Sequence, residues 1–263
     1  NRRPPRSTHL PSTTLFRSFI VIGLSAYMTL RGILAGVRVE VLDRGSIALA
    51  AGQDIPALVA AATQLDLRST QTIVAFGLAG ALLAFIFARR DFLSFDNLLG
   101  GIVTGGLVVG GWCLSGHLGY LAEDPETLSE VFLTTNSGRM ESLSFVAPLA
   151  YTLDLLMLWT DSTRKPSFGI ALALGVAAGS LVYAVVTRSF RWEGFANAAD
   201  TTRHLLGASL MGFGGVLAAG CTIGQGISGI STLALSAFLT FGAIVAGAAL
   251  MLKYQYWQML REA

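Results

Sequence analysis

The feature that most constrains this chain is a glycine-rich segment with one cysteine, set between two strongly apolar arms. Residues 212–229 read GFGGVLAAGCTIGQGISG and contain seven glycines around Cys221. Glycine at this density disfavours a continuous helix, because each one loses backbone freedom on ordering and costs about 1 kcal/mol relative to alanine. Broken backbone at membrane depth is tolerated where it is buried in protein or lines a cavity. The segment therefore predicts two half-helices that meet at a polar, thiol-bearing constriction, a design typical of transport sites.

The composition indicates an all-α integral membrane protein, a polytopic helical bundle with broken or re-entrant half-helices around the Gly-Cys loop. The chain is 53% hydrophobic and 13% charged, whereas soluble domains are roughly 25% charged, and its mean hydropathy is +0.62. A net charge of +2 without a basic aromatic-rich patch argues against a nucleic-acid partner. The sequence contains no GxSxG, Walker or HExxH motif and no zinc-binding spacing of cysteines and histidines, so we expect no catalytic residue, cofactor or metal.

The first residues differ in character from the rest of the chain. Residues 1–18 are basic and rich in Pro, Ser and Thr, and they lack the apolar stretch of a signal peptide. We expect residues 1–18 to be a non-native or disordered leader and residues 19–263 to form a single transmembrane domain. Because the chain does not begin with methionine, we also expect the natural protein to extend upstream.

Apolar runs long enough to cross the roughly 30 Å hydrocarbon core recur along the chain. The predicted spans are residues 19–37, 70–88, 95–120, 143–159 and 168–187, followed by two apolar arms within 204–252. The positive-inside rule favours the cytoplasm for Arg164-Lys165 and the outside for the acidic loop 121–141. Strict alternation then places Arg188, Arg191 and Arg203 outside. Either the span count is off by one, or these arginines line an anion-collecting vestibule.

Cys221 admits two interpretations. A lone cysteine in an apolar segment is most often a small, inert hydrophobe. At a helix break, however, unpaired backbone N–H groups and a helix N-terminus favour an anion or a thiolate. Thr222 and Gln225 add neutral hydrogen-bonding groups nearby in the sequence, and nothing there supplies the charge that a metal ion would need. Such a thiol suits a soft anion with a sulphur end, through a weak S–H hydrogen bond or through sulphur exchange.

A second group of polar residues lies in other apolar runs. Cys113 and His117 are four residues apart, so they share a helix face, and His117 could pair with an anion or simply lie at the membrane interface. Asp154 in an apolar run marks either a functional site or a hydrogen bond to a neighbouring helix. A disulfide between Cys113 and Cys221 is allowed by the cysteine count alone.

Two motifs carry a resemblance to a known family. The run 205–248, LLGASLMGFGGVLAAGCTIGQGISGISTLALSAFLTFGAIVAGA, resembles the C-terminal signature of the YeeE/YedE sulphur-transport family, and GGWCLSGHLGY at 110–120 is also similar to that family. The resemblance covers most of residues 19–253.

The resemblance implies thiosulphate uptake across the bacterial inner membrane, along a path lined by cysteines from short broken helices. It implies a cytosolic sulphur-carrier protein as a partner, and further path cysteines in an N-terminal half absent here. By position it assigns the substrate contact to Cys221 and the shape of its loop to Gly220, Gly224 and Gly226. We expect Thr222, Gln225, Cys113 and His117 to complete the substrate-binding set. Two alternatives remain: a membrane-embedded sulphur- or selenium-handling enzyme that forms a persulphide on Cys221, and a structural membrane subunit with inert cysteines.

Overall fold

Apolar helices dominate the described part of the chain. The computed structural model describes residues 13–45, 49, 52–124, 128–190 and 198–262. These residues separate into two compact units. Unit 1 combines Asn1–Gly45 with Cys113–Cys221, and unit 2 combines Ser46–Trp112 with Thr222–Ala263. The predicted all-α membrane fold is confirmed.

Unit 1 contains most of the short and broken elements. Its described elements are α1 (Thr13–Leu30), α2 (Ile33–Val37), a π-helical turn (Arg38–Leu42), a 3₁₀ turn (Asp43–Gly45), a second π-helical turn (Leu114–Leu118), the strands β1 (Tyr120–Leu121) and β2 (Val131–Phe132), α6 (Val146–Met157), α7 (Phe168–Val186) and α8 (Ala198–Leu217). The two strands pair antiparallel, with Tyr120 opposite Phe132. Ser167 caps the N-terminus of α7 by accepting a hydrogen bond from the Ile170 amide.

Small residues bring α1 into close contact with α8 in unit 1. Ala26 of α1 and Ala208 of α8 are buried in one cluster, and the Ser25 hydroxyl donates to the Ser209 carbonyl at 2.7 Å. A Cβ added to Gly212 would lie 2.5 Å from the Ile22 carbonyl oxygen. The two backbones therefore approach as closely as small residues allow, as in other membrane helix pairs. The helix α6 packs on another side of α1, where Gly23 lies against Leu153.

Unit 2 contains the long apolar helices. Its described elements are α3 (Ile55–Thr63), α4 (Leu67–Ala88), a 3₁₀ turn (Arg90–Leu93), α5 (Phe95–Cys113, whose last residue belongs to unit 1), a π-helical turn (Gly224–Gly229) and α9 (Leu235–Glu262). Asp66 caps α4 by accepting from the Ser69 amide at 3.2 Å. Residues 53–55 run beside the turn that precedes α9, since the Leu235 amide donates to the Gln53 carbonyl at 3.0 Å.

Four of the described helices are long and apolar enough to cross a membrane: Leu67–Ala88, Phe95–Leu118, Phe168–Val186 and Leu235–Arg261. Their large apolar side chains are mostly exposed, as in Phe76 of α4 at 75%. Such a surface is stable when lipid covers it. The helices confirm a multi-pass membrane protein.

The first predicted span is not continuous. The segments Ser18–Leu30 and Ile33–Val41 meet at a bend of 50°, and the amide of Gly32 still bonds the Met28 carbonyl at 3.0 Å. The helix α1 begins at Thr13, so the last residues of the expected leader are helical. Residues 1–12 lie outside the described residues, as does Arg191.

The prediction of a spanning helix at 143–159 is wrong. The helix α6 has 12 residues, or about 18 Å at 1.5 Å per residue, against a hydrocarbon core of roughly 30 Å. Pro148 lies in the first turn, where its missing N–H costs nothing. The helix therefore starts just before Pro148 instead of being interrupted by it.

The predicted separation of the acidic loop 121–141 from Arg164-Lys165 is also wrong. The Phe168 amide donates to the Thr134 carbonyl at 2.8 Å, and Asn136 lines the same cavity as Lys165. The second half of the loop therefore lies beside the start of α7. The charge bias placed the loop and Arg164-Lys165 on opposite sides of the membrane. The helix α6, which lies between them in the sequence, is too short to carry the chain across the membrane.

The close approach of α1 and α8 predicts different effects for two glycines of α8. We expect Gly212→Ala to destabilise the protein by about 2 kcal/mol, because the added Cβ meets the α1 backbone, which cannot rotate away. Gly207→Ala is the matched control, since its Cβ would meet no atom of the described chain within 4 Å. Helix propensity predicts that Gly207→Ala is neutral or stabilising by up to about 1 kcal/mol. Thermal unfolding of the two variants in detergent measures the difference, and equal stabilities would contradict the packing.

Candidate functional site

The break before Cys221 is a defined helix end. The helix α8 stops at Leu217, and the Gly220 amide donates to the Gly215 carbonyl at 2.9 Å while the Ala219 amide donates to the Val216 carbonyl at 3.0 Å. This pair of bonds is the Schellman arrangement, which requires a left-handed residue at its centre. Ala219 adopts that conformation with φ of +51°, although it is not a glycine. The predicted helix break therefore lies just before the thiol, and Ala219 forms its left-handed residue.

Cys221 lies in an apolar cluster of unit 1. Its exposed fraction is 8%, and it belongs to the buried cluster that includes Ile22, Ala26, Val146 and Ala150. Gly220 beside it is also buried. The buried members of this cluster besides the thiol are aliphatic side chains.

The segment after Cys221 is a short helix of unit 2. Residues 222–231 are helical, with a π-helical turn over Gly224–Gly229, a feature that occurs frequently at functional sites. A Cβ on Gly226 would lie 2.6 Å from the ring of Phe241 in α9, and one on Gly229 would lie 2.7 Å from the Gln225 side-chain oxygen. The glycines therefore let this segment pack closely on α9.

The residues that the sequence analysis assigned to substrate binding in this segment differ in solvent exposure. Thr222 is exposed, Gln225 is half-buried and Gly224 is buried. All three belong to unit 2, whereas Gly220 and Cys221 belong to unit 1.

Cys113 and His117 lie on the other glycine-rich helix. Cys113 ends α5, and the π-helical turn Leu114–Leu118 follows it directly. Both side chains are exposed, while Ser115 between them is buried and bonded to the Glu141 backbone. Cys113 and Cys221 are both thiols, so the disulfide allowed by the cysteine count does not form.

The structure reveals a charged cavity around Asp154, a residue for which the sequence left open a functional site or a hydrogen bond to a neighbouring helix. The cavity has a volume of about 70 Å³, and its lining includes Arg31, Tyr151, Asp154, Arg164 and Lys165. Asp154 is buried, pairs with Arg164 at 3.1 Å and accepts a hydrogen bond from the Tyr27 hydroxyl at 2.8 Å. The signal available in the sequence was Asp154 itself, an acidic residue in an apolar run. Tyr27, one of its partners, lies far away in the sequence, and a single sequence does not show that the two side chains meet.

A tight turn holds the basic residues of this cavity. The Asp161 side chain accepts from the amide of Thr163 at 2.9 Å and from its hydroxyl at 2.7 Å. These bonds lower the pKa of Asp161, with a smaller contribution from Arg164. Asp161 therefore stays ionised in this turn, which presents Arg164 and Lys165 to the cavity.

Metal binding has no support in the described residues. No group of three or more His, Cys, Asp or Glu side chains within them could hold a metal ion. Two arrangements among the described residues could bind or react with a ligand: the buried thiol of Cys221 and the charged cavity at Asp154. Both lie in unit 1.

Comparison with known proteins agrees with the earlier resemblance. A model of the family described as Sulphur transport matches residues 12–250. The thiosulfate transporter TsuA of Escherichia coli strain K12 is 38% identical over 95 residues, which are 36% of this chain and 26% of that transporter. The matched segment thus spans about a quarter of that relative. Both descriptions indicate transport rather than enzymatic catalysis, and the chain belongs to the Sulphur transport (YeeE/YedE) family.

Proposed function

We propose that this chain forms part of a membrane transporter for thiosulphate or a closely related sulphur anion, with the Cys221 thiol as a substrate contact. The observation that carries the proposal is the family match over residues 12–250, which includes the helix break and Cys221. The name of the partial relative supports thiosulphate as the substrate.

The local chemistry supports a role for the thiol. Cys221 lies four residues after the end of α8 and directly precedes the helical residues 222–231. Backbone N–H groups at the start of a helix favour negative charge, and a thiol can donate a weak hydrogen bond to a sulphur or oxygen atom of the anion. Because Cys221 is buried among aliphatic side chains, the substrate reaches it when that cluster opens locally.

The location and partner follow from the same family. We propose the bacterial inner membrane as the site of action and a cytosolic sulphur-carrier protein as the acceptor of the anion. Co-purification of such a carrier with the transporter, measured with and without thiosulphate, tests the partnership.

Uptake tests the proposed role of Cys221. The full gene is expressed in a bacterium deleted for its own thiosulphate uptake, and entry of ³⁵S-labelled thiosulphate is measured. We expect Cys221→Ala to lower uptake roughly tenfold or more, the usual effect of losing a hydrogen bond to a charged group. Cys221→Ser keeps a donor and should retain part of the activity.

Membrane abundance of each variant is the control for folding. Equal uptake by wild type and Cys221→Ala would show that Cys221 contributes to packing and not to substrate contact. Label that stays covalently on the protein after denaturation would favour the persulphide alternative instead of transport.

Thiol labelling tests whether the cluster opens for substrate. In detergent, N-ethylmaleimide should modify Cys221 at least about tenfold more slowly than Cys113, because Cys221 is buried and Cys113 is exposed. Single-cysteine variants, Cys113→Ser and Cys221→Ser, separate the two rates. Thiosulphate should change the rate at Cys221 and leave that at Cys113 unchanged. Equal rates at both thiols would contradict the burial of Cys221.

Substitution at Gly226 tests whether the packing of the short helix on α9 matters for transport. We expect Gly226→Ala to lower uptake severalfold, because its Cβ meets the Phe241 ring and displaces the helix. Gly242→Ala is the matched control, since no atom among the described residues lies within 4 Å of its Cβ. Restoration of uptake by Phe241→Leu in the Gly226→Ala background would assign the defect to this contact, and normal uptake by Gly226→Ala would exclude it.

A further inference from the structure

The cavity around Asp154 carries more positive charge than its carboxylate balances. Its lining includes three cations, Arg31, Arg164 and Lys165, and one anion, Asp154. Asp154 is already paired with Arg164. Within the described part of the chain, Arg31 and Lys165 form no ion pair. Asp161, which lies outside the lining, also pairs with Arg164, at 3.6 Å. Three positive charges and two negative charges leave a surplus of one.

The fold compensates this surplus only in part. Arg31 directly follows α1, and the partial negative charge at a helix C-terminus, about half an elementary charge, stabilises a cation there. Neighbouring like charges still repel each other. A bound anion would neutralise this remaining positive charge.

The cavity also supplies neutral donors and enough room. Tyr151, Asn136 and Thr163 line it with a phenol, an amide and a hydroxyl. A volume of about 70 Å³ compares with about 10–15 Å³ of the same measure for one water. It therefore accommodates a tetrahedral oxyanion of five non-hydrogen atoms.

The side chain of Arg164 is held by contacts that do not need the ligand. Asp154 pairs with Arg164 and also accepts a hydrogen bond from the Tyr27 hydroxyl. Tyr27 additionally packs against the cluster that contains Cys221. The cavity and the buried thiol are therefore connected through one residue of α1, and the cavity is placed to receive an anion before or after the thiol.

We infer that this cavity is a binding site for a tetrahedral oxyanion, with Arg31 and Lys165 as its charged ligands and the Asp154–Arg164 pair as its positioning pair. The identity of the anion as thiosulphate rests on the proposed function. The same chemistry would also bind the phosphate of a lipid headgroup, so the experiment must separate the two sources.

Direct binding to the full chain in lipid nanodiscs tests the site without requiring transport. Equilibrium binding of ³⁵S-labelled thiosulphate is measured in zwitterionic phosphatidylcholine, with unlabelled sulphate and phosphate as competitors. We expect Arg31→Gln and Lys165→Gln each to weaken binding about tenfold, as for the loss of a charge-assisted hydrogen bond. Arg31→Lys keeps the charge and should retain most of the affinity. Arg139→Gln, an exposed cation of the same unit outside the cavity lining, should bind as wild type does.

A second lipid composition identifies the natural occupant. If phosphatidylglycerol nanodiscs reduce thiosulphate binding in wild type, and the double variant of Arg31→Gln and Lys165→Gln is insensitive to the lipid, the site also takes a lipid phosphate. If the lipid has no effect, the site is specific for the soluble anion. Either result supports an oxyanion site.

The inference is overturned if wild type binds thiosulphate, sulphate and phosphate no better than the double variant. Uptake measured in parallel separates this failure from that of the proposed function. Uptake that depends on Cys221 with no binding at the cavity would reject the cavity site alone. Binding that depends on Arg31 and Lys165 with no uptake by wild type would reject the transport proposal alone.

Discussion

The close packing of α1 against α8 at Gly212 is the contact on which unit 1 depends. A glycine at this position lets the α8 backbone lie against the carbonyl of Ile22, so the last turns of α8 follow α1 closely. Cys221 comes four residues after α8 ends, and it enters the cluster formed by Ile22, Ala26 and Val146. The position of the thiol is therefore a consequence of helix packing. A side chain at Gly212 would separate the helices and move the thiol with them.

Two different chemistries lie on successive residues of α1. Ala26 is fully buried beside Cys221, and Tyr27 reaches Asp154 and the basic residues around it. In the transport that we propose, positive charge would attract the anion and the weakly polar thiol would release it easily. Their proximity gives a physical reason for keeping a costly buried ion pair in a short apolar helix.

The sequence predicted the class of the fold and the break before Cys221 for physical reasons that act locally. Charge content and apolar run length determine membrane insertion, and the glycine-rich segment indicated a helix break, which the structure places at Ala219 and Gly220. The bend after Leu30 and the short length of α6 were missed, because hydropathy does not distinguish a broken or half-length helix from a span. The cavity was missed for another reason. Asp154 was recognisable as unusual, but Tyr27 and Arg164 reach it through tertiary packing, which leaves no periodic signal in a single sequence.

The most direct test of the central claim is to locate a substrate analogue in the protein. A crystal structure with selenosulphate, in which selenium replaces the terminal sulphur of thiosulphate, gives an anomalous signal that marks the soft end of the anion. The account predicts a selenium peak in contact with the Cys221 sulphur. Selenium peaks that all lie away from Cys221, at saturating selenosulphate, would contradict the role of this thiol as a substrate contact.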